Sequence, residues 1–353
     1  MRPYFIKIKR LINLISHLSI LKIVNGLKLV VSYLLSYFGF HRFQNIYPHF
    51  ISIETSNFCN LRCPECPVGI HKIPNPAKST FEFELFKKLM DDLKPTLQHV
   101  ILYFQGEPFL CNQLVEFIKY THKSGIYSST STNGQFLNKQ TAREIVLSGL
   151  DKLIISIDGT TQEVYETYRV GGNLQKAIDG INHITEWKKE LRSIKPLVEI
   201  QFLVLRTNEH QMKEMQKLAK LLKVDRLTFK TAQLYDFENG SELLTKRNKY
   251  ARYKRTRDGK YRIKGRQSNR CWRMWSGAVI NVHGEVLPCC FDKSSEHSFG
   301  NINEQSFLNC WQSTKASNFR SQLTKNRKQF VMCRNCTSWN KFTHSGFWVW
   351  FCF

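Results

Sequence analysis

The 353-residue chain is 42% hydrophobic, 13% aromatic and 23% charged, enough apolar material for one large core or two modest ones, which excludes a disordered or collagen-like polymer. Its 52 Lys and Arg against 28 Asp and Glu give a formal charge of +24, so an anionic counterpart is expected: a phosphate-bearing substrate, an anionic lipid or nucleic acid. Eleven cysteines, an odd number with tight C-x-x-C spacings, point to metal or cluster ligation in a reducing compartment rather than to disulfides. With no signal peptide in evidence and no uninterrupted apolar run of about 20 residues, a cytoplasmic protein is expected.

Residues 1–49 carry Arg2, Lys7, Lys9, Arg10, Lys22, Lys28 and Arg42, no acid, and many Leu, Ile, Val and Phe. The pattern predicts basic amphipathic helix, either lying peripherally in the cytoplasmic membrane face or packed as a helical pair on the main domain. From 50 to 245 short β-branched or aromatic runs alternate with helical stretches, the pattern of repeated βα units around a parallel sheet. Strands are predicted at 50–54, 99–104, 126–132, 152–157, 198–204 and 226–230. Six units are too few for an eight-fold barrel, so the fold class is α/β, a partial (β/α)6 TIM-like barrel with its chemistry at the C-terminal strand ends. The stretch 246–270 holds twelve Lys or Arg with Tyr250, Tyr253 and Tyr261 interleaved and one acid, Asp258. It is read as a basic linker or flap in preference to a single-stranded nucleic-acid platform. Residues 271–340 form a small cysteine-rich domain organised around metal, and 341–353 an aromatic tail that must bury itself against protein or membrane.

After the first predicted strand comes Cys59-x3-Cys63-x2-Cys66, set in a loop at the barrel mouth. Three thiolates at this spacing can wrap a [4Fe-4S] cubane with one iron left open. A zinc site completed by His71 is the competing reading, and spacing alone does not choose. The second strand is followed by Gln105-Gly106-Glu107-Pro108, the third ends in Thr132-Asn133-Gly134, and the fourth in Ser156-Ile157-Asp158-Gly159. A loop with exposed carbonyls and a carboxylate can accept hydrogen bonds from an ammonium group, and Gly permits close approach. Polar side chains before Gly can reach hydroxyls or a carboxylate, although each such turn is common by itself.

In this order the motifs resemble the radical S-adenosylmethionine (radical SAM) enzymes, over about residues 50–230. The resemblance implies that Cys59, Cys63 and Cys66 hold a [4Fe-4S] cluster whose open iron takes the methionine moiety of exchangeable SAM. Electron transfer into the sulfonium then yields a 5′-deoxyadenosyl radical that abstracts hydrogen from substrate. It also implies SAM contacts from Gln105, Gly106, Glu107 and Pro108, from Asn133, Ser156 and Asp158, and from Arg169, which can pair with the methionine carboxylate or form an ion pair. Gln105 stands where the family has the first Gly of Gly-Gly-Glu-Pro, and Glu65 stands where an aromatic residue usually packs near adenine. Main chain at 204–208 is an alternative adenine contact.

The strings Cys271-Trp272-Arg273-Met274-Trp275, Gly284 through Cys289-Cys290, Gly300-Asn301-Ile302 and Cys333-Arg334-Asn335-Cys336 resemble the SPASM or twitch domain appended to such barrels. The reduced form implied here holds one auxiliary [4Fe-4S] cluster on Cys271, Cys289, Cys333 and Cys336, passing electrons. Cys111, Cys290, Cys310 and Cys352 are then packing residues, with Cys290 able to replace Cys289. Lys230, Gln233, Tyr235 and Asp236 are candidates to face substrate, 250–270 or the C-terminal domain is the candidate lid, and no catalytic acid or base is assigned. The expected partners are SAM, an electron donor such as flavodoxin or ferredoxin, and a small-molecule, lipid-linked or peptide substrate, with nucleic acid disfavoured. The leading function is hydrogen abstraction from an anionic substrate. Peptide maturation is the alternative, and a non-catalytic zinc protein binding nucleic acid or membrane the second.

Overall fold

A computed structural model describes residues 13, 15–40, 45–70, 77–265 and 267–336. His71, Cys352, Arg42 and the aromatic tail 341–353 lie outside the described residues, as do Arg2, Lys7, Lys9 and Arg10.

Six parallel strands follow one another in chain order: β1 Phe50–Ile53, β2 His99–Ile101, β3 Tyr127–Thr132, β4 Lys152–Ser156, β5 Leu197–Val204 and β6 Arg226–Thr231. All six fall where the sequence places them, each shifted by no more than three residues at an end. They are joined by helices including Phe83–Leu93, Leu114–Lys123, Lys139–Leu147, Leu174–Glu190 and Met212–Leu221. Strands clothed on one face by helices and closed on the other around a cavity read as near-continuous apolar runs with polar interruptions. In β5, Val198, Ile200, Phe202 and Val204 are buried against the helix layer. The alternate positions Glu199 and Gln201 are polar and belong to the barrel interior, where Glu199 meets Lys152 of β4 at 2.8 Å. Phe86 and Phe117 stack at 4.5 Å between two neighbouring helices. Full burial of such a side chain contributes roughly 1.5–3 kcal/mol.

The C-terminal section extends this sheet. Strand β9, Gly277–Ile280, lies parallel to β1 with Phe50 opposite Gly277 and Ile53 opposite Ile280, and β10, Val286–Leu287, pairs antiparallel to β9. The eight strands run β10-β9-β1-β2-β3-β4-β5-β6. Gly at 277 is required by packing: a Cβ there would sit 2.1 Å from the Phe50 ring. The basic stretch 246–270 forms a small hairpin, β7 Tyr253–Arg255 and β8 Tyr261–Ile263. Its Tyr253 hydroxyl donates to Asn335 Oδ1 at 2.6 Å, and Arg252 Nη2 donates to Asn335 O at 3.0 Å, so it braces the C-terminal section.

Helix α1, Ile20–Leu35, is capped by the Ser19 hydroxyl, which accepts from Lys22 N at 3.3 Å. It lies at the N-terminal ends of the strands with its polar residues turned inward. Lys22 Nζ donates to Gly125 O just before β3 at 2.6 Å and to His17 O at 3.0 Å. Asn25 exchanges two bonds with the Tyr47 backbone, 3.0 and 3.1 Å. His17 reaches Asp151, just before β4, at 3.2 Å, and Tyr33 packs edge-on against Trp272 and Trp275.

Candidate active site

The cysteine loop is pinned on both sides before it reaches its first thiol. Ser56 bridges Thr80, Asn57 Oδ1 accepts from Ser79 N at 2.9 Å, and Phe58 O accepts from Glu107 N at 2.8 Å. That last bond docks the loop after β2 directly on the cysteine loop. Gly106 makes the approach feasible: its φ is +67°, and a Cβ there would lie 2.2 Å from Ser56 O and 2.8 Å from Phe58 O. Further along, Cys66 N donates to Cys63 O at 3.1 Å and Ile70 N to Cys66 O at 3.0 Å. Gly69 closes that turn, since a Cβ would meet Cys63 N at 2.7 Å.

Cys59, Cys63 and Cys66 line one cavity of about 510 Å³ at the C-terminal strand ends, together with Gly106, Glu107, Pro108, Asn133, Ser156, Asp158 and Arg169. Seven of the eight residues assigned from the sequence to SAM thus share this wall with the three cysteines. The eighth, Gln105, does not line it; its amide Nε2 reaches across to Lys293 O at 3.0 Å and ties the β2 loop to the C-terminal section.

The polar groups are braced by one another. Glu107 accepts from Thr132 Oγ1 at 2.7 Å, Asn133 N at 2.8 Å and Phe109 N at 3.2 Å. Burial pushes its carboxyl up to about 7 despite these bonds, which favour the charged form. Asp158 accepts from Leu203 N and from Arg169 Nε, both at 2.6 Å, so the β4 end, the β5 end and Arg169 are locked together. Burial alone would lower the Arg169 pKa, but Asp158 and Cys63 hold it well above its usual value. Arg169 Nη1 lies 3.8 Å from Cys63 Sγ. Arg169 is therefore an interior ion pair that still faces the cavity. Asn208 is fully buried and bonds Leu205 N, Leu203 O and Asp158 O; no residue of the stretch 204–208, expected as an alternative adenine contact, lines the cavity, and Leu203 just before it does. Glu65 accepts from Tyr235 N at 2.9 Å, joining the cysteine loop to the chain after β6.

These thiols fit an iron–sulfur cluster. Three converge on one cavity, with N–H groups directed at sulfur: Leu61 N lies 3.4 Å and Asn133 Nδ2 3.8 Å from Cys59 Sγ. Burial pushes the Cys59 thiol up to about 12 and raises Cys63 as well, so they ionise when a metal centre takes up the charge. Among the described residues no group of three His, Cys, Asp or Glu side chains is placed to hold a single metal ion, and His71, the fourth ligand of the competing zinc reading, lies outside them. A cubane spreads its thiolates over separate irons.

The second cysteine set gathers beside the barrel. Cys271 lies within electrostatic reach of Cys336 and Arg327, Cys333 of Cys271, Cys336 and Arg327, and Cys289 of Cys290, Cys336 and Arg273. Burial pushes Cys333 up to about 12 and raises Cys271 and Cys289. One side chain shapes the Cys333–Cys336 turn: Gln267 Nε2 donates to the carbonyls of Cys333, Arg334 and Cys336 at 2.9, 3.2 and 3.0 Å. The donor set, flanked by Arg273 and Arg327, suits an anionic iron–sulfur centre. Cys111 and Cys310 are buried in the main core, and Cys290 packs against Phe104, Val279 and Leu287.

Lys230, Gln233 and Tyr235 line the cavity; Asp236 does not, and accepts from Asn239 Nδ2 at 2.7 Å. No described residue of 246–270 lines it either. Phe291, Asp292, Lys293, Glu296 and Met332 of the C-terminal section, one of the two candidate lids, also line the cavity. Gln201 is a wall residue that sequence reasoning missed. Its signal was available, as a polar residue at alternate position in an otherwise apolar strand.

Comparison with known proteins agrees with this geometry. The family model of the Radical SAM superfamily matches residues 53–219, and that of the iron-sulfur cluster-binding domain SPASM matches 271–337. The tungsten-containing aldehyde ferredoxin oxidoreductase cofactor-modifying protein of Pyrococcus furiosus is 24% identical over 324 residues, 82% of this chain and 87% of that protein. The AdoMet-dependent heme synthase of Nitratidesulfovibrio vulgaris is 27% identical over 48% of this chain, which spans only 44% of that relative. Streptococcus suis SuiB bound to precursor peptide SuiA shares the fold at TM-score 0.61 and 13% identity, over 86% of this chain and 74% of that one.

Proposed function

For a chain that belongs to the radical SAM superfamily and carries a SPASM iron–sulfur domain, we propose hydrogen abstraction from a small anionic substrate held between Lys230 of the barrel and Lys293 of the C-terminal section. The chain is an enzyme with SAM as partner. When bound, the first cluster supplies the electron that cleaves SAM to a 5′-deoxyadenosyl radical, and one auxiliary cluster supplies a further electron-carrying centre. Cys59, Cys63 and Cys66 would hold the first, and Cys271, Cys289, Cys333 and Cys336 the second. Flavodoxin or ferredoxin would deliver the electrons in the cytoplasm.

The chain's own groups do the positioning. Gly106, Glu107 and Pro108 bring main-chain carbonyls and a carboxylate to where an ammonium group can be bound. Arg169, oriented by Asp158, presents a guanidinium to a carboxylate. Ser156 and Asn133 offer hydrogen bonds to hydroxyls. The wall from Phe291 to Glu296 limits access of water, which protects a reactive intermediate.

The observation that carries the substrate class is Lys230. Its ammonium lines the cavity on a side chain that is itself exposed, and partial desolvation lowers its pKa. An anion beside it recovers the lost solvation, with Lys293, which lines the same cavity, as a second cation. A peptide substrate is the second reading, favoured by the likeness to SuiB in its peptide-bound form. The test is 5′-deoxyadenosine release by anaerobically reconstituted protein given SAM and dithionite, with small-molecule and peptide fractions of a cell extract added separately. Stimulation by the anionic small-molecule fraction, lost in Lys230→Ala, is the expected result. Stimulation confined to the peptide fraction and abolished by protease would replace it with the second reading.

A further inference from the structure

The amphipathicity of helix α1 is reversed. Lys22, Asn25, Leu29, Ser32 and Ser36 recur at three- and four-residue steps and are buried against the protein. The opposite face is apolar and open to solvent: Ile20 is 79% exposed, Leu27 62%, Val31 54% and Phe38 78%, with Ile23, Val24, Leu34 and Phe40 beside them. A soluble domain ordinarily does the opposite, and contiguous exposed apolar patches mark surfaces that are covered in use.

We propose that this face is a docking surface for an anionic lipid bilayer, with the helix lying in the interface and not crossing it. Charge selects lipid as the occupant. The first 50 residues hold seven Lys or Arg and no acid; Lys28 is exposed on the helix itself, and Arg2, Lys7, Lys9 and Arg10 precede it in the chain. An apolar face joined to a purely basic segment matches an anionic membrane surface. A self-association face of that composition would bring like charges together. By length and composition the stretch Ile20–Phe38 is also apolar enough to cross a membrane. The inward bonds oppose that: Lys22 to Gly125, Asn25 to Tyr47 and, just ahead of the helix, His17 to Asp151 bind its N-terminal half to the barrel, and crossing would break all of them.

The helix sits at the N-terminal ends of the strands, whereas the cavity opens at their C-terminal ends. A docked enzyme therefore holds its reaction chamber away from the lipid, and its substrate reaches it from the aqueous side. This proposal is independent of the substrate assigned above.

The experiment is sedimentation of the full chain with phosphatidylcholine vesicles, with and without phosphatidylglycerol. Expected are co-sedimentation with the anionic vesicles, release by alkaline carbonate, and an at least tenfold weaker partition for Leu27→Glu/Val31→Glu. Both positions are solvent-facing, and an unchanged melting temperature would establish that the variant is folded; Lys28→Glu, which leaves the apolar face intact, should weaken binding less. The proposal is overturned by absence of vesicle binding, by binding unchanged in the folded double variant, by retention after carbonate, or by a dimer in light scattering that the double variant dissociates without any vesicle binding.

Discussion

Replacing Gly106 with Ala tests whether the cysteine loop and the loop after β2 operate as one unit. At φ +67° an L-residue other than Gly pays roughly 1–2 kcal/mol. The added Cβ would also lie 2.2 Å from Ser56 O, more than an ångström inside ordinary contact. Both atoms on the receiving side are backbone, so no side chain can swing away, and the loops must separate. The Phe58 O to Glu107 N bond at 2.8 Å would be lost, and the thiols would shift relative to Glu107 and Asn133. Misplacement of about 1 Å costs on the order of a hundredfold in rate, equivalent to about 3 kcal/mol at the transition state. Expected is a roughly hundredfold drop in kcat/KM for SAM, read as 5′-deoxyadenosine, with iron content near wild type because the three cysteines remain. Gly106→Asn separates the two causes: Asn tolerates positive φ but carries the same Cβ, so it should be nearly as defective. Activity of Gly106→Ala within threefold of wild type would refute the docking argument.

Asp158→Asn keeps an acceptor for Leu203 N but leaves Arg169 without its carboxylate. The side chains are 0% and 18% exposed, so loss of one partner of this interior pair should cost about 3 kcal/mol in urea denaturation, with a raised KM for SAM; an unchanged midpoint would count against the bracing role. Glu54 bears on pH. Burial pushes its carboxyl from 4.5 to about 7, against its bond from Val282 N and the charge of Lys293. The folded state therefore binds its proton more tightly than the unfolded chain does. The stabilisation is fully present below pH 4.5 and is lost as pH rises through about 7, by about 3 kcal/mol in all. Relative to Glu54→Gln, the wild type should thus lose stability between pH 5 and 8 in chemical denaturation; parallel curves would contradict the assignment.

Much of the barrel was legible because a fully buried parallel strand and its covering helix leave different periodicities in the sequence, as 152–157 and 198–204 show. The cysteine loop, the Gly-Glu-Pro loop and the polar strand ends were legible as motifs, and seven of the eight predicted SAM contacts share a cavity wall with Cys59, Cys63 and Cys66. What escaped depends on partners distant in the chain. Gly277–Ile280 is four small or apolar residues, and its membership of the sheet is decided by β1 more than 220 residues earlier. The bond between Glu65 and Tyr235 and the reach of Gln105 to Lys293 are of the same kind. Helix α1 was legible as amphipathic, but periodicity does not say which face turns inward. That is decided by carbonyls at Gly125 and Tyr47 waiting for Lys22 and Asn25.

Hydrogen bonding of β9 to β1 makes the auxiliary-cluster section part of the barrel's wall. A chain ending at residue 270 would leave the backbone groups of Phe50–Ile53 on that side without their ladder, an open edge of the kind that recruits foreign strands and aggregates. It would also expose the Phe50 ring that Gly277 covers. The C-terminal section is therefore not a detachable electron relay bolted onto a self-sufficient catalyst. Its folding completes the catalyst, and damage to Cys271 or Cys289, which flank these strands, should be felt as loss of solubility of the whole molecule before it is felt as a change in redox behaviour.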